Sequence, residues 1–128
     1  MSMANTSSTA VLSGGGAGSV PYACSKASVE MLTRGLANEL AEHNIRVNAV
    51  RPGLTLTPLH QQLTPPKVME KMTATIVMRR PASAGAYLYL ASEKLVSFVT
   101  GSVIAFDGGG HNPHWATAGY TGRSGYAG

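Results

Sequence analysis

The chain has 128 residues, 44% hydrophobic and 12% charged, a balance that suits one globular domain with buried strands and excludes a solvated, disordered chain. The formal net charge is +4, but the ten Lys and Arg are scattered from Lys26 to Arg123 with only Arg79 and Arg80 adjacent, so no nucleic-acid partner is expected. The single cysteine, Cys24, excludes an internal disulfide and paired-cysteine zinc sites, no apolar run nears the ~20 residues of a membrane span, and MSMANTSS lacks the apolar core of a signal peptide; a cytoplasmic protein with no membrane partner is expected.

In chain order, the first segment through Ser8 is short and polar and runs into Ser13-Gly-Gly-Gly-Ala-Gly-Ser19, too rich in glycine for helix or strand. From Pro21 the pattern changes. Val29, Leu32, Leu36 and Leu40 recur at three- and four-residue steps, which predicts a helix over about 21–43 with these side chains on its packed face. Pro21 suits its first turn, and Asn44 suits a left-handed closing position. Ile45-Arg-Val-Asn-Ala-Val50 alternates as a strand does, and Arg51-Pro52-Gly53 stops it. Residues 54–80, with prolines at 58, 65 and 66, form a long excursion holding a short helical patch at 68–72. Pro81 to Leu90 makes a second helix, and Val103-Ile-Ala-Phe106 is a buried strand ended by Asp107-Gly-Gly-Gly110. The tail 111–128, rich in Gly and Tyr without periodicity, is expected to be flexible unless a neighbouring subunit orders it, leaving 1–110 as the folded domain. This order of strands and helices is that of parallel α/β crossovers, expected to be right-handed.

Tyr22 and Lys26 stand four apart on the predicted helix, so they share a face and can act as a unit. A phenol is a weak acid–base group at neutral pH, and an adjacent ammonium favours its phenolate. Their spacing by itself is common in helices, where a tyrosine is more often packed with a wet hydroxyl. Other candidates read more simply: His111-Asn-Pro-His114 as solvated tail rather than metal site, Cys24 as a buried small side chain rather than a reactive thiol, and Arg79 with Arg80 as a solvated face.

Several motifs then occur together in one order. Tyr22-Ala-Cys-Ser-Lys-Ala-Ser28 is preceded by Ser7-Ser8-Thr9 and a glycine loop, and followed by Arg34-Gly-Leu-Ala-Asn-Glu-Leu-Ala41, by Asn48-Ala-Val-Arg-Pro-Gly53, and by Thr100-Gly-Ser-Val-Ile-Ala-Phe-Asp-Gly-Gly109. Over roughly residues 5 to 110 this resembles the C-terminal, catalytic half of a short-chain dehydrogenase/reductase. The resemblance implies a partial Rossmann-like, doubly wound α/β fold, a short parallel sheet with crossover helices. It implies NAD or NADP as cofactor, no metal, and hydride transfer between that cofactor and an alcohol or ketone. Tyr22 matches the general acid–base, and Lys26 the lysine that favours its phenolate and bonds the nicotinamide ribose. Ser8 matches the serine that polarises the substrate carbonyl, with Ser7 as the alternative because the glycine loop is one residue longer than usual. Pro52, Gly53 and Leu54 match the turn beside the nicotinamide, and Thr57, or alternatively Thr55, the threonine that contacts the cofactor.

The sequence also departs from the family. Its nucleotide-binding half, with a Gly-rich turn after the first strand and the upstream catalytic asparagine, is not among these residues, and the Gly14–Gly18 cluster stands at the substrate-loop position. Arg79-Arg-Pro-Ala-Ser-Ala84 is shorter than the family's stretch and lacks its two glutamates, so the substrate-side loop is expected to be reshaped. An uncovered sheet edge and the helix of residues 21–43 predict a homo-oligomer. Two other functions remain open: a non-catalytic oligomeric or binding module, and an ester or lactone hydrolase using Ser8, Tyr22 and Lys26.

Overall fold

The computed structural model describes residues 1–111; the tail expectation for 112–128, His114 included, falls outside the described residues. Three parallel strands, β1 (Ser2–Thr6), β2 (Arg46–Pro52) and β3 (Val103–Phe106), form a sheet in the order β1-β2-β3. Ser2 to Thr6 pair with Arg46 to Val50, and Ala49 to Pro52 pair with Val103 to Phe106. The small parallel α/β architecture matches the sequence expectation.

The centre of the fold is β2, whose Val47, Asn48, Ala49 and Val50 are completely buried. A strand covered on both faces needs a layer on each. Helix α2 (Val20–Leu40), following a four-residue turn of helix α1 (Ala10–Ser13), covers one face. It presents Ala23, Glu30, Thr33 and Ala37 as its buried residues, and a single 3₁₀ turn, Ala41–His43, leads to Asn44 at φ 56°, the left-handed closure expected. The expected leucine stripe is only partly right. Val29, Leu36 and Leu40 flank the contact half-buried, but Leu32 is 56% exposed, because the small side chains at 23, 33 and 37 are what let the helix close onto β2.

The other face carries α5 (Gly85–Ala91), where Ala86 and Leu90 pack on Val50 with Tyr87, Ile104 and Phe106 around them. Alternation along the strands separates the two layers. Asn5 and Ser7 bond to α2 through Thr33 and Glu30, whereas Thr6 between them bonds to Tyr87 of α5. Both helices therefore join neighbouring strands that step the same way across the sheet, yet from opposite faces, so the two crossovers have opposite hands and are not both right-handed as expected.

The excursion holds two helices rather than one patch, α3 (Pro58–Leu63) and α4 (Pro66–Ala74), each opened by a proline, a residue whose fixed φ suits a first turn. β2 runs two residues past Val50 because Arg51 and Pro52 still pair with β3. The helix predicted from Pro81 starts at Gly85 because Ala82 is drawn into a bridge with Thr55. A further short helix, α6 (Glu93–Val96), is capped by Ser92, whose hydroxyl accepts from the Leu95 amide at 3.4 Å. Among the described residues no helix is long and apolar enough to cross a membrane.

Candidate active site

Parallel strands bring their C-terminal ends to one edge, and crevices there are the usual ligand sites of open α/β sheets. In this chain the ends of β1 and β2 are tied together by backbone bonds, Ser7 N to Val50 O at 2.7 Å and Thr9 N to Pro52 O at 3.1 Å, while Gly53 N reaches Phe106 O of β3 at 3.2 Å. Gly53 has no room for a side chain: a Cβ there would stand 2.7 Å from the Cβ of Asp107. The first turns of α2 overhang this edge and carry Tyr22, 49% exposed, and Lys26. The Lys26 ammonium lies 5.8 Å from the centre of the Tyr22 ring and donates to the Thr6 carbonyl at 3.1 Å.

A cavity of about 480 Å³ opens at this edge, within the ~300–1,000 Å³ range of small-molecule sites. Ser8, Tyr22, Lys26, Pro52, Gly53, Leu54 and Thr57 all line it, as do the alternatives Ser7 and Thr55. Residues widely separated in sequence and selected for one chemistry thus share one hollow. The two serines differ in availability. Ser7 is 2% exposed and its hydroxyl donates to the Glu30 carboxylate at 2.5 Å. Ser8 is half-buried; its oxygen accepts from the Ala10 amide at 3.2 Å, and among the described residues its own proton meets no acceptor, which leaves it free to bond a substrate oxygen. Thr55 donates to Gly53 O at 3.3 Å, so its hydroxyl helps shape the turn.

Sequence reasoning missed several contributors. Met72 of α4 and Phe106 of β3 supply apolar wall, and Tyr87 shares a 2.8 Å hydrogen bond with Thr6 at the cavity. Behind it, Glu30 accepts from Arg51 Nε at 2.8 Å and Nη2 at 2.6 Å, a bidentate pair buried against Ser7. The hydrogen bond from Arg51, and after it that from Ser7, hold the Glu30 carboxyl below its ordinary value against the opposing effect of burial, while the same bond raises Arg51. A signal for this pair was present: Glu30 continues the four-residue stride of Tyr22 and Lys26, and Arg51 continues the alternation of Val47 and Ala49.

Cys24 corrects an expectation. It is exposed, since it falls about 100° around the helix from the buried Ala23. Asp107 is buried and its carboxylate takes the Gly109 amide at 3.0 Å, the His111 amide at 3.1 Å and the His111 ring Nδ1, which closes the turn after β3. Among the described residues no three His, Cys, Asp or Glu side chains are placed to hold a metal ion.

The family model described as Enoyl-(Acyl carrier protein) reductase matches residues 1–111. The chain is 43% identical over 108 residues to 3alpha-hydroxysteroid dehydrogenase of Mediterraneibacter gnavus, which covers 81% of this chain and 42% of that protein. It is 44% identical over 99 residues to the 3-oxoacyl-(acyl-carrier-protein) reductase of Thermotoga maritima, covering 74% of this chain and 39% of the relative. A solved Pseudomonas aeruginosa RhlG/NADP active-site complex superposes with a TM-score of 0.74 at 32% identity, covering 86% of this chain and 46% of that one. The chain thus spans about two fifths of the length of these curated relatives. With that match over residues 1–111 and these identities, the chain belongs to the short-chain dehydrogenase/reductase family.

Proposed function

We propose that this chain carries the proton-transfer site of an oxidoreductase that moves a hydride between NAD(P)(H) and an alcohol or ketone. The observation that carries the reading is the single cavity that gathers Ser8, Tyr22 and Lys26 with the Pro52–Leu54 turn and Thr57. Ser8 bonds the substrate oxygen through its free proton. Tyr22, in contact with solvent, gives a proton to that oxygen in reduction and takes it back in oxidation. Lys26, fixed by the Thr6 carbonyl, sets its ammonium beside the Tyr22 ring, where it attracts the negative charge that grows on the phenol oxygen as the proton leaves.

The donor set also fits the nicotinamide–ribose end of a nicotinamide cofactor. Lys26 offers ammonium protons to ribose hydroxyls, and Tyr22, Thr57 and the backbone of Pro52, Gly53 and Leu54 flank the same space. When bound, the cofactor supplies or accepts the hydride. An NADP complex among the structural relatives supports this assignment. The same reading carries a homo-oligomer through residues 21–43 and the edge of β1 that has no strand partner among the described residues, supported by Met31 and Leu32 standing 64% and 56% exposed on α2. Titration of the chain with NADH and NADPH by fluorescence, followed by turnover of a ketone panel, tests the function. Saturable binding and turnover lost in Tyr22→Phe is the expected result; no binding at millimolar cofactor overturns it.

A further inference from the structure

A carboxylate is costly to bury, and Glu30 is 6% exposed. It is satisfied by donors from two other segments, and each donor is the chain neighbour of a cavity residue. Ser7, giving a 2.5 Å bond, precedes Ser8; Arg51, giving bonds of 2.8 and 2.6 Å, precedes Pro52 and Gly53. Glu30 itself lies one helical turn beyond Lys26 and two beyond Tyr22, on the same face. The Ser7 hydroxyl also lies 3.4 Å from the Lys26 carbonyl, and the Lys26 ammonium returns to the Thr6 carbonyl. The strand end is therefore laced to the helix at three successive points.

We infer that Glu30, through Arg51 and Ser7, is a positioning residue that holds the Tyr22/Lys26 helix, the Ser8 strand end and the Pro52–Gly53 turn in one fixed arrangement. Backbone bonds join the two strand ends to each other, Ser7 to Val50 and Thr9 to Pro52, but they leave the helix free to slide over both. Two other side-chain bonds join α2 to β1, from Lys26 to the Thr6 carbonyl and, farther from the cavity, from Asn5 to Thr33, and neither reaches β2. A carboxylate that accepts from both strands at once removes that freedom. Bidentate geometry fixes direction as well as distance, which an apolar pair of equal volume does not. Reacting groups lose about 100-fold in rate for a displacement of about 1 Å, so this restraint acts on turnover without Glu30 touching substrate.

The inference rests on the proposed roles of Ser8, Tyr22 and Lys26 only for its kinetic arm. Glu30→Gln keeps shape and volume, but its amide nitrogen cannot accept from Arg51. In the full chain, amide hydrogen exchange at Ser7, Thr9 and Gly53 is expected to rise about tenfold, with Ile104 and Ala105 of β3 changing less than about threefold. With NADPH and cyclohexanone as probes, kcat is expected to fall about 10- to 100-fold while KM for NADPH stays within about threefold, and Glu30→Asp recovers part of the loss. Exchange that rises equally in β3, or that does not rise at Ser7, Thr9 and Gly53, overturns the inference. Absence of turnover in the unsubstituted chain contradicts the proposed function instead, and the exchange measurement still decides the role of Glu30. If Glu30→Gln does not fold, Ser7→Ala cuts only the strand-end link and is expected to raise exchange at residue 7 and Thr9 but not at Ile104; no rise at residue 7 and Thr9 overturns the inference equally.

Discussion

Lys26 reaches back along its own helix to within 5.8 Å of the Tyr22 ring centre, and its ammonium is held there by the Thr6 carbonyl at 3.1 Å. A flexible side chain is thus fixed by the end of β1 at the place where a developing phenolate needs a cation. Lys26→Met keeps most of the stem and removes the charge. Turnover of ketone with NADPH is expected to drop by about 10²- to 10⁴-fold, the usual worth of an acid–base device, with unfolding free energy within about 0.5 kcal/mol of the parent because the ammonium is not buried. Steady-state rates beside urea unfolding check both statements.

Glu30 gives the fold a pH dependence with a definite sign. Its folded-state carboxyl titrates below the ordinary value near 4.5, owing first to the hydrogen bond from Arg51. The stabilisation is fully present above that value and is lost as pH falls below it toward the folded value. Urea midpoints measured from pH 7 down to pH 3 are expected to fall on the acid side of about 4.5, and Arg51→Gln is expected to flatten that fall. An equal slope in the two proteins would assign the acid sensitivity to other carboxylates.

Asn48 is wholly buried at the centre of the sheet. Its amide donates to Val99 O at 2.8 Å and its oxygen accepts from Ser102 N at 3.1 Å, tying the loop before β3 to β2. Asn48→Ala takes the acceptor from the Ser102 amide, leaves the Val99 carbonyl only its 3.5 Å bond from Arg46, opens a void, and is expected to cost about 2–4 kcal/mol, read from denaturant midpoints.

Gly53 meets Asp107 where the β2 turn crosses the end of β3. An added Cβ would lie 2.7 Å from the Asp107 Cβ and 3.0 Å from its Cα. Gly53→Ala is expected to destabilise by about 1–3 kcal/mol and, by shifting Leu54 in the cavity wall, to weaken NADPH binding. Calorimetric melting with cofactor titration separates the two effects.

How much of this was legible in the sequence depends on the range of the forces involved. The helical stretch to residue 43 with its Asn44 closure and the strands expected at 45–50 and 103–106 are set by local periodicity and turn chemistry; the first of these strands runs Arg46–Pro52, and Val103–Phe106 stands where expected but is only half-buried, with Ala105 exposed. Leu32 and Cys24 went astray because periodicity locates an apolar stripe but not which small residues permit the closest approach to β2; Ala23, Thr33 and Ala37 decided that. The hand of the α5 connection and the two helices of the excursion depend on packing between distant segments. For the site, the ordered motifs pointed to Ser8, Tyr22, Lys26 and the Pro52–Leu54 turn, all of which reach one cavity. The Glu30–Arg51 pair was hidden because a charged helix residue is usually solvated, and only the register of β2 brings Arg51 beneath it.

The central claim, that Tyr22 transfers the proton in a nicotinamide-dependent carbonyl reduction, is tested most directly by following NADPH oxidation with cyclohexanone in the chain and in Tyr22→Phe side by side. The account predicts saturable turnover that falls by about 10³-fold in Tyr22→Phe while the variant keeps its fold and its NADPH affinity within a few-fold. Equal turnover in the two proteins, or no saturable NADPH binding at millimolar concentration, would contradict it.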